Sequence, residues 1–364
     1  MNSKRLKLIK KISYRLPLNA LAILCLSLMS IYSTTSNRTL TFFYKEIIFG
    51  VVGMIFYFVF SLINYKEYEK YSKLLYGFNI LMLISVFVFG TKRLGAQRWI
   101  DLKFIVIQPS EFAKLLIILT FGDYLVRKYN LNRNDGFKKV FFSFLHFLPI
   151  FLLIAKQPDL GTSMTLVGIY FVVLFINGIN WRVLSIMIVG GLAFIPVAYN
   201  FLLKDYQKQR VLTFLNPESD VLGSGWNVIQ SMIAIGSGGV YGKGFLNSTQ
   251  SKLRFLPESH TDFIGSVFLE ETGVVGGFIL LGLYLTLIFQ ITKIGDKSED
   301  EYGKLISYGI AAVFLFHVLV NLGMIMGIMP VTGLPLLFMS YGGSSLVLSF
   351  IMLGIVQSVK IHRD

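Results

Sequence analysis

LISYGIAAVFLFHVLVNLGMIMGIMPVTGLPLLFMSYGGSSLVLSFIMLGIVQSV, residues 305–359, contains no Asp, Glu, Lys or Arg. A helix crosses the hydrocarbon core of a bilayer with about 20 residues, so the stretch is far longer than one crossing needs. Pro330, Gly333 and Pro335 interrupt it, and a proline inside a helix removes a donor and clashes with the preceding turn. It therefore reads as two helices, 305–328 and 345–359, joined by an apolar loop. Outward from it, eight more windows are free or nearly free of charge: 16–32, 47–63, 74–90, 104–126, 140–155, 160–179, 183–203 and 273–291. The expectation is an all-α integral membrane protein, one polytopic domain over residues 1–364, with about ten transmembrane helices.

Composition agrees. Of the 364 residues 54% are hydrophobic and only 15% charged, where a soluble domain has roughly 45–50% apolar and about 25% charged residues. The net charge of +14 is spread between apolar runs rather than over a polar surface, which points to a membrane and away from nucleic acid. A single cysteine, Cys25, excludes a disulfide framework and a CxxC metal site. His146, His260, His317 and His362 are too far apart for an HExxH motif, and no Gly-rich phosphate loop is present.

Lys and Arg bias sets the orientation. Lys4, Arg5, Lys7, Lys10, Lys11 and Arg15 crowd the first fifteen residues. With residues 1–15 cytoplasmic, 20 Lys and Arg fall inside against 13 outside, with Lys114 within a span, and residues 360–364 are cytoplasmic too. The basic start followed by an apolar run imitates a signal peptide, but no small-x-small cleavage site leads into a soluble domain, so it reads as an uncleaved first helix. Two outer connections break the bias. Residues 91–103 carry Lys92, Arg93, Arg98 and Lys103, and residues 204–262 carry Lys204, Lys208, Arg210, Lys243, Lys252 and Arg254. The second is a large extracytoplasmic loop between helices 7 and 8, and a loop of that length is rarely without a function of its own. Residues around 231–235 suit a short helix lying on the membrane. No internal repeat is visible, which weakens an inverted-repeat transporter.

Charges where lipid should be single out the candidate site residues. In Gln108-Pro109-Ser110-Glu111-Phe112-Ala113-Lys114, Glu111 and Lys114 share a helix face. Each would cost roughly 2.5–3.5 kcal/mol at mid-bilayer, so neither faces lipid. Either they line a polar cavity or they form an internal ion pair that ties helices together. Asp159, in Gln157-Pro158-Asp159-Leu160-Gly161-Thr162, reads as a helix cap or as a partner of Lys114 across that cavity. Asp262, in Leu256-Pro257-Glu258-Ser259-His260-Thr261-Asp262-Phe263-Ile264, has a polar loop before it and an apolar flank after it. At such a boundary partial burial raises a carboxylate's pKa and makes it a better base. His260 is a candidate orienting neighbour, or an idle loop histidine. Glu270 and Glu271 are expected to face the same cavity, or else to snorkel at a span end. Arg210 is a candidate anion ligand through its planar, permanently charged fork, although many loop arginines are merely solvated.

These strings resemble the SEDS family of shape, elongation, division and sporulation proteins (RodA, FtsW, SpoVE), most closely its RodA branch. They are Gly95-Ala96-Gln97-Arg98-Trp99-Ile100, Gln108-Pro109-Ser110-Glu111 with Lys114, Gln157 to Thr162, Ile229-Gln230-Ser231, Ala234 to Gly239, Gly242-Lys243-Gly244-Phe245, Thr249-Gln250-Ser251, Phe255 to Glu258, His260-Thr261-Asp262-Phe263-Ile264 and Ser340-Tyr341-Gly342-Gly343-Ser344. They follow one another in family order over nearly the whole chain. One departure is Gly265-Ser266, where the family usually has an aromatic residue.

The resemblance implies a peptidoglycan glycosyltransferase of the bacterial cytoplasmic membrane that polymerises lipid II and releases undecaprenyl pyrophosphate. It implies Asp262 as the catalytic residue, with general base the role its position supports. Arg210, Lys243 and Arg98 are the cations available for pyrophosphate, and Trp99 stacks on substrate or packs a neighbouring protein. A divalent cation, Mg or Mn, using Glu111 or Asp262 is a further candidate. The implied partners are a class B penicillin-binding protein and other membrane proteins of the elongation complex. Competing readings are a lipid II flippase or other transporter, since intramembrane charge serves transport equally well, and a non-catalytic scaffold of wall synthesis. Elongation and sporulation copies share the motifs.

Overall fold

The structure is a computed structural model and describes residues 11–36, 39–93, 96–101, 106–129, 136–201, 205–220 and 223–363. Lys4, Arg5, Lys7, Lys10, Gly95, Lys103 and Lys204 lie outside the described residues.

The helices are α1 (Arg15–Thr35), α2 (Thr41–Leu62), the short α3 (Lys66–Lys70), α4 (Ser72–Phe89), α5 (Pro109–Tyr129), α6 (Gly136–Lys156), α7 (Leu160–Ile176), α8 (Trp181–Phe201), α9 (Asp205–Leu215), α10 (Ser224–Gly238), the short α11 (Thr249–Lys252), α12 (Ile264–Asp296), α13 (Glu301–Ile325) and α14 (Gly343–Ile361). Each of the ten apolar windows overlaps a helix, although the window 104–126 takes in a short strand at Val106–Ile107 ahead of α5, and seven described helices are long and apolar enough to cross a membrane: α1, α2, α4, α6, α12, α13 and α14. The chain is a multi-pass, helical membrane protein. α13 and α14 form its centre, with 72% and 83% of their apolar windows buried against 22% for α4. A helix that is apolar all round can be buried all round, and that is how the charge-free stretch is used.

Three observations revise the sequence reading. First, the all-α bundle carries a small sheet. β1 (Thr91–Arg93), β2 (Ala96–Asp101) and β3 (Val106–Ile107) form a small antiparallel sheet in the order β1-β2-β3. Thr91 pairs with Trp99, and Ile100 with Ile107. Gln97 anchors it, because its Nε2 donates to the Val86 carbonyl at 3.0 Å and the Gly90 carbonyl at 2.9 Å. It thereby ties β2 to carbonyls at the C-terminal end of α4, where Val86 also accepts the Gly90 N–H at 2.9 Å.

Second, the helix expected over 273–291 starts earlier, at Ile264, and is broken at Gly273, whose φ is +68°. The break frees backbone groups, and residues 239–244 take them up. Lys243 N–H donates to the Glu270 carbonyl and Gly244 N–H to the Glu271 carbonyl, both at 3.0 Å. In return the N–H groups of Val274 and Val275 donate to the Gly239 and Val240 carbonyls at 3.0 and 3.2 Å. The backbones come so close that a Cβ at Gly242, itself at φ +78°, would meet the Glu271 carbonyl oxygen at 2.1 Å.

Third, residues 204–262 are not a loop with one surface helix. They hold α9, a 3₁₀ turn (Pro217–Asp220), α10 and α11. α10 buries Val228, Gln230, Ser231 and Ala234, and Ser231 donates to the Ile325 carbonyl at 2.7 Å. The Ser231 hydroxyl also shares a hydrogen bond of 2.7 Å with Ser266, so the small residue Ser266 is what brings α10 against α12.

Gly242→Ala combines a left-handed backbone with a backbone clash, and is expected to destabilise the fold by about 2–5 kcal/mol. Gly77→Ala, with no heavy atom near its Cβ position, is the control. Thermal denaturation of the purified protein in detergent measures both, and equal midpoints would contradict the docking of residues 239–244.

Candidate functional site

A cavity of about 790 Å³ opens at one end of the bundle. Arg98 and Trp99 of β2, Arg210 of α9, and Glu258, Thr261 and Asp262 from the segment before α12 all line it. The remaining wall comes from Phe42, Lys45, Ile48 and Phe49 of α2, from Val106 and Gln108, from Thr332, Gly333 and Pro335, and from Tyr341 to Ser344. Three cationic side chains (Lys45, Arg98, Arg210) face two acidic ones (Glu258, Asp262), and α2 supplies an apolar side. The site suits a ligand that joins an anionic group to a hydrocarbon tail.

Asp262 is half-buried, immediately ahead of α12. Gly333 backs directly onto it, since a Cβ at Gly333 would lie 3.5 Å from Asp262 Oδ2. Burial is the main force on the carboxyl. It pushes the pKa up, Glu258 adds to the push, and Arg210 and Arg98 oppose it, leaving the group at about 6. A carboxylate so placed is mostly ionised near neutral pH and more basic than one in water. Glu258 is held in turn by Thr261, whose hydroxyl donates to Glu258 Oε2 at 2.9 Å.

Arg98 is largely committed to structure. Its Nε donates to the Gln157 carbonyl at 3.3 Å and its Nη2 to the Pro158 carbonyl, while Nη1 lies 3.8 Å from Asp159 Oδ1. Asp159 also accepts from Gln108 Nε2 at 3.0 Å, Ser110 Oγ at 2.8 Å and the Thr162 N–H at 3.2 Å. It therefore caps α7 and pairs with Arg98. The expected pairing with Lys114 is not made, because the Lys114 ammonium is held between Glu111 and His317 of α13. Lys114 Nζ donates to Glu111 Oε1 at 2.8 Å and meets His317 Nε2 at 2.6 Å.

The expected single cavity network of Glu111, Lys114, Asp159, Glu270 and Glu271 is thus three separate ones. The first is Asp159 with Arg98 and Ser110, and the second is Glu111 with Lys114 and His317. The third lies where residues 239–244 dock: Glu270 accepts from Lys243 Nζ at 2.6 Å, Ser248 Oγ at 2.6 Å and Thr249 Oγ1 at 2.7 Å, and Glu271 accepts from Ser33. None of Glu111, Lys114, Glu270 or Glu271 lines the cavity. Lys243 is a correction of the same kind, since its ammonium is spent on Glu270 rather than offered to an anion. His260 is another. Its ring packs on Phe42 at 4.7 Å and Tyr341 at 5.8 Å, and its carbonyl accepts the Tyr341 N–H at 2.9 Å, so it supports the cavity wall without lining it.

Of the two carboxylates offered to a divalent cation, only Asp262 lines the cavity. Glu111 is engaged by Lys114 away from the cavity, and among the described residues no three His, Cys, Asp or Glu side chains could hold a metal ion. Sequence reasoning missed Lys45, Glu258 and Tyr341. Glu258 stands four residues from Asp262, and the adjacent charges of Lys45 and Glu46 open the second apolar window; these were the available signals.

The FTSW_RODA_SPOVE family profile, described as cell cycle protein, matches residues 8–364. The chain belongs to this family. It is 42% identical over 345 residues to the peptidoglycan glycosyltransferase MrdB of Escherichia coli (strain K12), covering 94% of this chain and 92% of that protein. Among solved structures, the fold is similar to a chain of a peptidoglycan synthase complex that coordinates polymerization and crosslinking, with a TM-score of 0.83 and 30% identity over 97% of this chain and 98% of that one. It is also similar to the rod shape determining protein RodA of Thermus thermophilus, with a TM-score of 0.72 and 29% identity over 97% of each chain.

Lys114→Met leaves Glu111 as an unpaired buried carboxylate, and is expected to cost about 3–5 kcal/mol of stability. Adding Glu111→Leu in the same chain removes that carboxylate and should recover most of the loss. Denaturation midpoints of the two variants measure this, and a double variant no better than the single would contradict the pairing.

Proposed function

We infer that this protein is a peptidoglycan glycosyltransferase that polymerises lipid II at the outer face of the bacterial cytoplasmic membrane. The observation that carries the reading is the half-buried Asp262 in a cation-bearing cavity with one apolar wall, in a member of this family. The excess of Lys and Arg in the N-terminal segment supports cytoplasmic termini, and the cavity then opens outward.

The chemistry follows from the placement. Asp262 takes the proton of the acceptor GlcNAc 4-hydroxyl as that oxygen attacks C1 of the donor MurNAc. The new glycosidic C–O bond forms as the bond from C1 to the pyrophosphate oxygen breaks. The electron pair leaves with undecaprenyl pyrophosphate, and the proton stays on Asp262 until it is returned to water. Arg210 and Lys45 offer charge to the developing pyrophosphate, where preorganised cations lower the barrier most effectively. Arg98, fixed by Asp159 and two carbonyls, adds a positive field rather than a mobile ligand. The apolar side of α2 keeps the isoprenoid in the bilayer while its head group reaches Asp262.

The structural likeness to a chain of a synthase complex supports a partner that crosslinks the new strand, a class B penicillin-binding protein. The likeness to a rod shape determining protein supports a role in cell shape.

Asp262→Asn should reduce polymerisation of labelled lipid II by at least about 100-fold, the scale of general-base catalysis, with folding and partner binding unchanged. Wild-type polymerisation should fall tenfold per pH unit below about 6 and level off above it, because only the ionised carboxyl accepts a proton. Normal polymer from the Asn variant, or a rate flat from pH 4 to 8, would overturn the assignment.

A further inference from the structure

α13 carries two fully buried polar side chains one turn apart, His317 and Asn321, on one helix face. Each grips backbone at the cavity. Asn321 Nδ2 donates to the Asp262 carbonyl at 3.0 Å and to the Leu334 carbonyl at 2.8 Å. Two acceptors facing one amide end fix its orientation, since the carbonyl end could not bind either. His317 Nδ1 lies 2.7 Å from the Pro335 carbonyl. A carbonyl only accepts and an ammonium only donates, so Nδ1 carries the hydrogen and Nε2 receives it from Lys114. The imidazole is held in one tautomer from both sides.

The three gripped carbonyls belong to Asp262 and to the wall that faces it. Gly333, Pro335 and Asp262 all line the cavity, and Gly333 backs onto the Asp262 carboxylate. We propose that His317 and Asn321 are positioning residues: together they fix the separation between the Asp262 backbone and the Leu334–Pro335 wall, and so set where the carboxylate stands. The ion pair of Lys114 with Glu111 acts on the site through His317, which explains why two charges outside the cavity accompany it. The inference rests on the reading of Asp262 as the base.

Loosening the clamp lets Asp262 move toward water. The groups that face it across the cavity are Glu258, Arg98, Arg210, Lys45 and Tyr341, and burial outweighs them in raising its pKa. A freer Asp262 therefore titrates lower. Displacement of a reacting group by about 1 Å costs on the order of 100-fold in rate.

The test uses the full-length protein with its partner in nanodiscs. Asn321→Ala is expected to lower kcat for lipid II polymerisation by about 10- to 100-fold with KM within about threefold. In the same samples a water-soluble carbodiimide, which modifies only protonated carboxyls, is titrated against pH and the Asp262 peptide is quantified by mass spectrometry. Its midpoint should stand near 6 in the wild type and move toward the ordinary carboxyl value of 3.8 in Asn321→Ala. His317→Asn, whose Nδ2 takes the place of the ring Nδ1 and still donates to the Pro335 carbonyl, should keep most activity, and His317→Leu should lose at least about 10-fold. The histidine pair decides the matter if Asn321→Ala does not fold. Unchanged kcat and labelling midpoint in the folded variants would overturn the proposal. Failure of the wild type to polymerise lipid II would instead defeat the proposed function, while the labelling midpoints would still judge the clamp.

Discussion

Residues 326–342 run through the bundle without helix or strand, and the membrane allows such backbone only if its polar groups are paired within the protein. Side chains from four helices supply the partners. Ser27 of α1 donates to the Met339 carbonyl at 2.6 Å, Tyr284 of α12 to the Leu337 carbonyl at 2.6 Å, and Asn321 and His317 of α13 to the Leu334 and Pro335 carbonyls. Glu46 of α2 accepts the Gly342 N–H at 3.4 Å. Leu334, Leu336, Leu337, Phe338 and Met339 fill the space between. The segment is therefore a rigid wall, and the cavity can exist beside it without exposing backbone to lipid.

The same constraint governs the other irregular region. Breaking α12 at Gly273 would leave unpaired carbonyls and N–H groups, and residues 239–244 exist to meet them. The Glu270 cluster with Lys243, Ser248 and Thr249 locks that segment by side chains as well as by backbone. Removing either charge would strand the other, the costly case for buried pairs. Asp262 sits between these two regions, with the docked segment before it in sequence and the paired wall in front of it in space. Its position is set by parts that are otherwise concerned only with satisfying polar backbone.

The helices were legible because hydrocarbon thickness sets a length and a composition that few other constraints imitate. Glu111 with Lys114 was legible too, since spacing of three along one helix dictates contact. Pairings between helices were not. Asp159 could meet Lys114 or Arg98, and only the sheet that carries Arg98 past Pro158 decides it. Strands of two to six residues carry too little alternation to be read. Lys243 looked like a phosphate ligand because nothing in the string Gly242-Lys243-Gly244 shows that Glu270 lies beneath it. Lys45 was passed over because a charge at the start of an apolar window resembles an ordinary interfacial anchor, and only the cavity distinguishes it.

Polymerisation of a lipid-linked sugar outside the cell requires the base, Asp262, on the extracytoplasmic side. Asp262→Cys, in a chain whose only cysteine is removed by Cys25→Ser, reports this through labelling with a membrane-impermeant maleimide. Labelling in spheroplasts, where only the outer face is exposed, and none in sealed inverted vesicles is the predicted result. Labelling from the cytoplasmic face alone would contradict the account.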